Sequence, residues 1–350
     1  MKSVYVDVFQ FRGSHYDFGY WQGEQLCHTP IIANRRKQWE PQRERHFIVN
    51  VREFERVMLE FSPKLLEEIN GLVDALKMDL EDAIVQFGGF YLEYGRSGCS
   101  ILTGFDYFVR NYDNEPQTYE GRYVLYQPTD GGYATIGPTM QVTGRTDGMN
   151  ERGLVVGYNF VNRKMSGDGF ICNMICRIVL ENCANVEEAI SLLKSIPHRH
   201  SFNYVLLDKR GQTFIVEASP RQVKVRQGNY CTNHFELLLE ENRYQMDDSL
   251  ARYEVMNTTA NDLIIANDAF TLLNDKEKGV FSEKYGAWAG TIHTSAYFPK
   301  AGQAWLSVGA NQQPVIFNFS SWLTGKDSII KKVKGKLKSK TVFVNMEEIV

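Results

Sequence analysis

At Cys99 the periodicity of the chain changes, and that change limits what the chain can fold into. Residues 4–13, VYVDVFQFRG, alternate as a strand does, but from DFGYWQGEQL to about Gly89 apolar residues recur at helical spacing. The clearest run is SPKLLEEINGLVDALKM. Ser62 stands where a cap is wanted, Pro63 suits a first turn, and Leu65, Ile69, Leu72, Val73 and Leu76 recur with the helical period. A short second helix, LEDAIVQF, follows. Beyond Cys99 the runs CSILTGFDYFVRNYD, RYVLYQPTD, YATIGPTM and GLVVGYNFV are strand-like and separated by Gly, Pro, Asp and Asn.

Two helices come next, FICNMICRIVLENC and NVEEAISLLKSI, the second with Asn185 as cap and Glu188 three residues on. Strand signals return in FNYVLLDKRGQTFIVEAS, with a turn at Lys209-Arg210-Gly211, and in RQVKVRQGNYCTNHF. A helical stretch from about Asp248 to Leu273 precedes the last strands, GTIHTSAYFPKAGQAWLSVG and PVIFNFSSW. The basic segment SIIKKVKGKLKSKTVFV reads as a solvated helix or a strand edge. Antiparallel hairpins around segregated helices predict an α+β fold, not a doubly wound sheet.

The 350 residues are 43% hydrophobic with a formal charge of −3, enough apolar material for a large core. That balance gives no electrostatic reason to expect nucleic acid or an anionic membrane as partner. The opening MKSVYVDVFQFRG has no apolar signal region, and six cysteines without one imply free thiols, so a cytoplasmic protein is expected. No phosphate-loop or dinucleotide fingerprint occurs, and no cofactor is implied. Cys172, Cys176 and Cys183 recur on one face of a helix beside Ile171, Ile175 and Val179, the pattern of buried thiols. A zinc site with His198 and His200 would split its ligands across Pro197 and is not expected. Cys27 and Cys231 are read as inert, and His234 and His293 as core histidines.

Cys99 is different because of its setting, SGCS. A catalytic thiol needs a base and donors for the oxyanion. The base is either a histidine or the α-amino group of the cysteine itself, which titrates near 7.7–8.0 once the residue becomes a chain terminus. The second scheme requires the Gly98–Cys99 bond to break, and Gly98 leaves its carbonyl open to the thiol.

The blocks around Cys99 resemble those of cysteine N-terminal-nucleophile hydrolases, which include choloylglycine hydrolases, penicillin V acylases, acid ceramidases and acyl-coenzyme A:6-aminopenicillanic acid acyltransferases. GCSILTGFDYFVRNYDNEP is similar to the start of their catalytic chain, with an R-N-x-D motif at Arg110, Asn111 and Asp113. TDGMNERGLVVGYNF resembles their D-x-x-N-E-x-G-L block followed by an asparagine, here Asn159. YCTNHF and DSLARYEVM resemble the T-N-H and S-x-x-R-[YF] blocks, giving Asn233 and Arg252. FRGSHYDFGYWQGEQL and LLEEINGLVDALKMDLEDAI are similar to the leader of the acyltransferase branch.

The resemblance implies a four-layer αββα sandwich, with residues 1–98 a helical leader and 99–350 the catalytic chain after self-cleavage between Gly98 and Cys99. It implies Cys99 as nucleophile, Asp113 orienting the α-amino group, Arg110 beside the thiolate, Asn233 and Asn159 donating to the oxyanion, and Arg252 supporting the site. The expected partners are a small-molecule amide or acyl donor and the chain's own leader. The expected chemistry is hydrolysis or transfer at a linear amide through an acyl-thioester. Two rivals remain: a non-catalytic binding protein whose uncleaved leader plugs the site, and a Cys-His protease that does not process itself.

Overall fold

The computed structural model describes residues 1–37, 50–90, 97–162, 164–259, 264–286 and 289–346. Two sheets lie at its centre. The larger runs in the order β11 (Val223–Gln227), β10 (Thr213–Ala218), β9 (Phe202–Leu207), β8 (Val155–Phe160), β7 (Asp147–Asn150), β5 (Thr135–Met140), β4 (Arg122–Pro128), β1 (Lys2–Gly13), β16 (Lys332–Leu337), with β6 (Gly144–Arg145) paired to β5. The smaller runs β12 (Tyr230–Cys231), β2 (Ser100–Thr103), β3 (Phe108–Asn114), β13 (Gly290–Phe298), β14 (Gln303–Val308), β15 (Val315–Asn318). Pairing is antiparallel apart from β1 with β4.

Alternate residues along these strands enter different cores, as the two-residue period requires. Ile101 and Phe108 join Val6, Leu125, Val205 and Leu306 between the sheets. Their neighbours Leu102 and Val109 instead pack with Met256 and Leu273 from α7 (Asp247–Thr259) and α8 (Ala266–Asn274). On the far side of the large sheet, Val156, Tyr158 and Phe202 meet Ile175 and Val179 of α5 (Cys172–Asn182) and Ala189 of α6 (Val186–Ser195). The layers are therefore α, β, β, α, as expected. Among the described residues no helix is long and apolar enough to cross a membrane.

Residues before Cys99 build into this body rather than beside it. β1 is an internal strand, pairing with β4 through Asp7–Gly13 and with β16 through Lys2–Asp7. Helices α1 (His15–Leu26), α2 (Val51–Phe61), α3 (Pro63–Leu76) and α4 (Leu80–Phe87) contribute Leu26, Phe54, Leu72 and Phe87 to the core that holds Tyr158 and Ile175. The leader motif has a geometric cause: Ser14 caps α1 by accepting from the Asp17 amide, and α1 crosses α3 at contact distance. A Cβ on Gly19 would lie 1.9 Å from the Glu68 carbonyl oxygen, and one on Gly71 2.2 Å from that of Tyr16, so both positions need glycine.

Three readings are refined. Ser62 occupies the N-cap position of α3 but makes no capping hydrogen bond, because it also closes α2, donating its amide to the Met58 carbonyl, and its backbone is not in the extended cap conformation. The stretch 248–273 is two helices, with Ile265 extended between them. The basic segment forms β16, an edge strand with exposed Lys332, Lys334 and Lys336, a pattern that discourages edge-to-edge pairing.

Candidate active site

Cys99 stands immediately before β2, and the β2–β3 hairpin folds Arg110 back beside it, with Ile101 paired to Arg110. Arg110 Nη2 donates to the Cys99 Sγ at 3.2 Å and to the Tyr158 carbonyl at 2.6 Å. Its Nη1 donates to Asp147 Oδ1 at 2.6 Å. Asp147 also accepts from Thr146 Oγ1 at 2.8 Å, Ser295 Oγ at 2.6 Å and Tyr297 Oη at 2.7 Å. The carboxylate thus ties β7 of one sheet to β3 and β13 of the other and fixes the direction of the guanidinium. Gly157 makes room for it, since a Cβ there would come within 2.9 Å of the Phe108 ring and 3.2 Å of Arg110 Cδ. Burial pushes the Asp147 carboxyl up, but the Arg110 charge, His293 and the Ser295 and Tyr297 hydroxyls outweigh it and hold the group below the usual carboxylate range.

The thiol is fully buried. Burial raises its pKa above the ordinary value, with Arg110 pulling the other way. Ser97 Oγ lies 3.3 Å from Sγ and donates to the Asp113 carbonyl at 2.7 Å. Asp113 projects on the helix side of the small sheet. Its Oδ1 accepts from Thr291 Oγ1 at 2.6 Å, while its buried Oδ2 has no partner among the described residues. Burial, opposed by the Arg252 charge and the Thr291 hydrogen bond, pushes this carboxyl up to about 7.

Arg252 reaches the same place from α7. Its Nη1 donates to the Cys99 carbonyl at 2.9 Å and to Ser100 Oγ at 2.7 Å, Nη2 to Asn233 Oδ1 at 2.8 Å, and Nε to Asp248 at 2.9 Å. Asn233 Nδ2 donates to the carbonyls of Phe160 at 2.8 Å and Ser97 at 3.5 Å. Asn159 Nδ2 donates to the Cys231 carbonyl at 2.9 Å, one residue pair across from β2, and its buried Oδ1 has no partner among the described residues. The fold therefore links Cys99, Arg110, Asn233 and Arg252 by hydrogen bonds and brings in Asp113 through its backbone carbonyl, by way of Ser97, while the Asp113 carboxyl bonds Thr291. Asn159 is held nearby on the β12 backbone, without a hydrogen bond to Cys99. A cavity of about 1060 Å³ opens at the other end of the hairpin, past Phe105 and Tyr107, and does not include Cys99.

Sequence reading missed Asp147, Thr291 and Ser97. Asp147 is the first residue of the D-x-x-N-E block, so a signal existed; Thr291 and Ser97 carried none. The rest of that block is structural: Asn150 Oδ1 accepts from the amides of Arg152 and Leu154, and its Nδ2 donates to the carbonyls of Leu180 and Cys183. Asn111 likewise faces the helices, donating to the Leu273 carbonyl at 2.6 Å. His198 sits 2.8 Å from the Leu193 carbonyl, and His293 sits 2.8 Å from the Tyr119 hydroxyl in the inter-sheet core; burial lowers both to about 4.

The family model of acyl-coenzyme A:6-aminopenicillanic acid acyl-transferase matches residues 102–313, a span holding Arg110, Asp113, Asn159, Asn233 and Arg252 and beginning just after Cys99. No curated protein matches the chain. Among solved structures, the chain is similar to a mutant conjugated bile acid hydrolase from Clostridium perfringens, at 17% identity, covering 64% of this chain and 93% of that one, with TM-score 0.44. It is similar to a penicillin V acylase from Agrobacterium tumefaciens at 18% identity, covering 63% and 84%, with TM-score 0.44. It is also similar to a Caenorhabditis elegans ortholog of N-acylethanolamine-hydrolyzing acid amidase at 10% identity, covering 58% and 93%, with TM-score 0.41.

Proposed function

Because the chain belongs to the acyl-coenzyme A:6-aminopenicillanic acid acyl-transferase family, we propose that it is a self-processing cysteine enzyme that cleaves or transfers the acyl group of a linear amide. The observation that carries this reading is the Arg110 guanidinium donating to the Cys99 thiol, on the strand that also carries a buried Asp113 carboxyl with one oxygen unused among the described residues.

In the first step Cys99 Sγ adds to the Gly98 carbonyl, the C–N bond to the Cys99 nitrogen breaks, and that nitrogen takes up the thiol proton. Water then hydrolyses the thioester, leaving a Gly98 carboxylate, a free thiol and a free α-amino group. Asp113 Oδ2 is the acceptor that the new amine would find. In turnover the α-amino group takes the thiol proton as Sγ attacks the substrate carbonyl and passes it to the departing nitrogen. Water or an amine resolves the acyl-thioester. Arg110 favours the thiolate, and Asn233 and Asn159 supply oxyanion donors once they leave their present carbonyls. The substrate class is a small N-acylated amino acid, peptide or similar amide.

The leader stays as a partner chain in this reading. Removing it would strip β1 out of the large sheet and leave Arg177 buried without its Glu68 carboxylate. The sealed thiol fits an unprocessed precursor and also the rival reading of a plugged, non-catalytic scaffold. Intact mass under denaturing conditions separates them. Wild type should give two chains, the smaller holding 98 of 350 residues of a 40.2 kDa chain, about 11 kDa, and Cys99→Ala should stay whole. A single chain in both would overturn the proposal.

A further inference from the structure

Resting on the roles just given to Cys99 and Asp113, we infer that Thr291 is a positioning residue that decides which oxygen of Asp113 receives the new α-amino group. Thr291 lies opposite Asp113 where β13 bulges against β3, so that the extra residue, Ile292, turns into the inter-sheet core and the threonine hydroxyl turns toward the carboxylate. A hydroxyl has one hydrogen to give. The Ser282 amide donates to Thr291 Oγ1 at 2.9 Å, which occupies a lone pair and leaves the hydroxyl hydrogen directed at Asp113 Oδ1, 2.6 Å away. The Tyr285 hydroxyl donates to the Thr291 carbonyl and Ser282 Oγ to the Ala289 carbonyl, so the strand that carries the hydroxyl is itself tied to the segment that precedes it.

The consequence is an asymmetric carboxylate. Oδ1 is committed as an acceptor, and Oδ2 is buried with no donor among the described residues. Any proton on the group, and later the α-amino group, goes to Oδ2. The charged and titratable groups that face Asp113 are Arg110 on its own strand, Cys99 beside β2, Arg252 and Asp248 from α7, and Tyr285 from the segment before β13. Lys284 is drawn off to Asp248. Thr291 is the uncharged donor in the set, so its removal changes the hydrogen bonding of Asp113 without changing the charge around it.

The test uses the full chain in two states. In the Cys99→Ala background, which cannot cleave, the Asp113 carboxyl carbon is followed by 13C NMR across pH 4–9, its signal assigned by its loss in Asp113→Asn. Thr291→Val should move the midpoint upward by about one pH unit, the equivalent of one lost hydrogen bond to a carboxylate, and Thr291→Ser should restore it. With Cys99 in place, timed cell-free synthesis followed by intact mass should show the acid limb of self-cleavage moving the same way. If Thr291→Val does not fold, Thr291→Cys, a far weaker donor of similar size, takes its place. An unmoved midpoint, or one that serine fails to restore, overturns the role of Thr291 while leaving self-cleavage intact. Absence of cleavage in wild type overturns the reading of Cys99 instead, whatever the titration does.

Discussion

Two of the buried ionic clusters among the described residues are finished to different degrees. One joins the leader to the body. Arg177 gives Nη2 to Glu68 Oε2 at 2.6 Å, Nε to Glu181 Oε1 at 2.7 Å and Nη1 to the Thr143 carbonyl at 2.9 Å. Gln22 donates to Glu68 Oε1 at 2.8 Å, and His15 lies 3.3 Å from Glu181 and 2.7 Å from Asp130. Every polar side-chain atom of Arg177, Glu68, Glu181 and His15 has a partner, so no carboxylate oxygen is left over, and what remains unpaired beside them is a donor, the Nε of Arg122 and of Arg145. The other cluster surrounds Cys99, and there two acceptors, Asp113 Oδ2 and Asn159 Oδ1, are left over beside one donor, Arg110 Nε. The carboxyls differ accordingly. Arg177 and His15 outweigh burial and hold Glu181 at about 2, whereas burial wins at Asp113 and lifts it to about 7. A closed cluster fixes structure; an open one keeps capacity for a group that arrives later.

The largest expected effect tests the closed cluster. Arg177→Met strands two carboxylates in the core and should cost about 3–5 kcal/mol, the range for breaking a buried ion pair from one side. Urea unfolding of the Cys99→Ala chain reads it directly. Where the chain is cleaved as proposed, the same change should loosen the leader, visible as a fraction of about 11 kDa by size-exclusion chromatography, and no loss of stability would dissolve the contrast between the clusters. Next comes the open cluster. Asp113→Asn removes a buried acid with an unused oxygen, so the melting temperature should hold or rise while the proposed self-cleavage slows by about 10²–10³-fold, on the scale of one lost transition-state hydrogen bond, here the one that Oδ2 accepts from the departing nitrogen. A fall in stability matching that of Arg177→Met would mean that Asp113 is structural.

The same contrast explains how far the sequence could be read. The ordered blocks were legible because each residue answers a local demand: Ser14 caps a helix, Gly19 and Gly71 allow two helices to touch, and Asn150 ties off a turn. Arg110, Asp113, Asn233 and Arg252 could be placed because the blocks fix their order, and the fold brings them together. Asp147 was harder to read, since its role depends on Ser295 and Tyr297, which are nearly 150 residues away and meet it only across two sheets. Thr291 depends on a single bulge, which no period in the sequence announces. Ser62 misled for the opposite reason: a good cap residue was placed at a joint between consecutive helices, whose geometry prevailed over its preference.

The smallest expected effect is a pH dependence of the leader contact, and its window separates the clusters once more. His15 is wholly buried, and burial alone would lower its pKa, but its hydrogen bond and charge interaction with Glu181 carry it above the ordinary value. A base whose folded pKa is raised contributes stability that is complete below the unfolded value, about 6.5, and lost as pH rises through the folded one. Glu181 is the reverse case: depressed to about 2, it contributes above its ordinary range and its contribution is lost only in strong acid. Together they make the leader contact firmest in the window from about pH 5 to 6.5, with a slope of at most one proton on the alkaline side. Urea midpoints of the Cys99→Ala chain from pH 5 to 9 should decline through that slope above pH 6.5, and His15→Gln should flatten that part while lowering the midpoints below pH 6.5. Asp113 adds a decline of the same direction in an earlier window. Its raised carboxyl favours the folded state only when protonated, and that contribution is lost from about pH 4 to 7. Asp113→Asn should therefore remove the part of the decline below about pH 7 and leave the part above it. A decline above pH 7 that survives in His15→Gln but vanishes in Asp113→Asn would assign the pH dependence to the open cluster and not to the closed one.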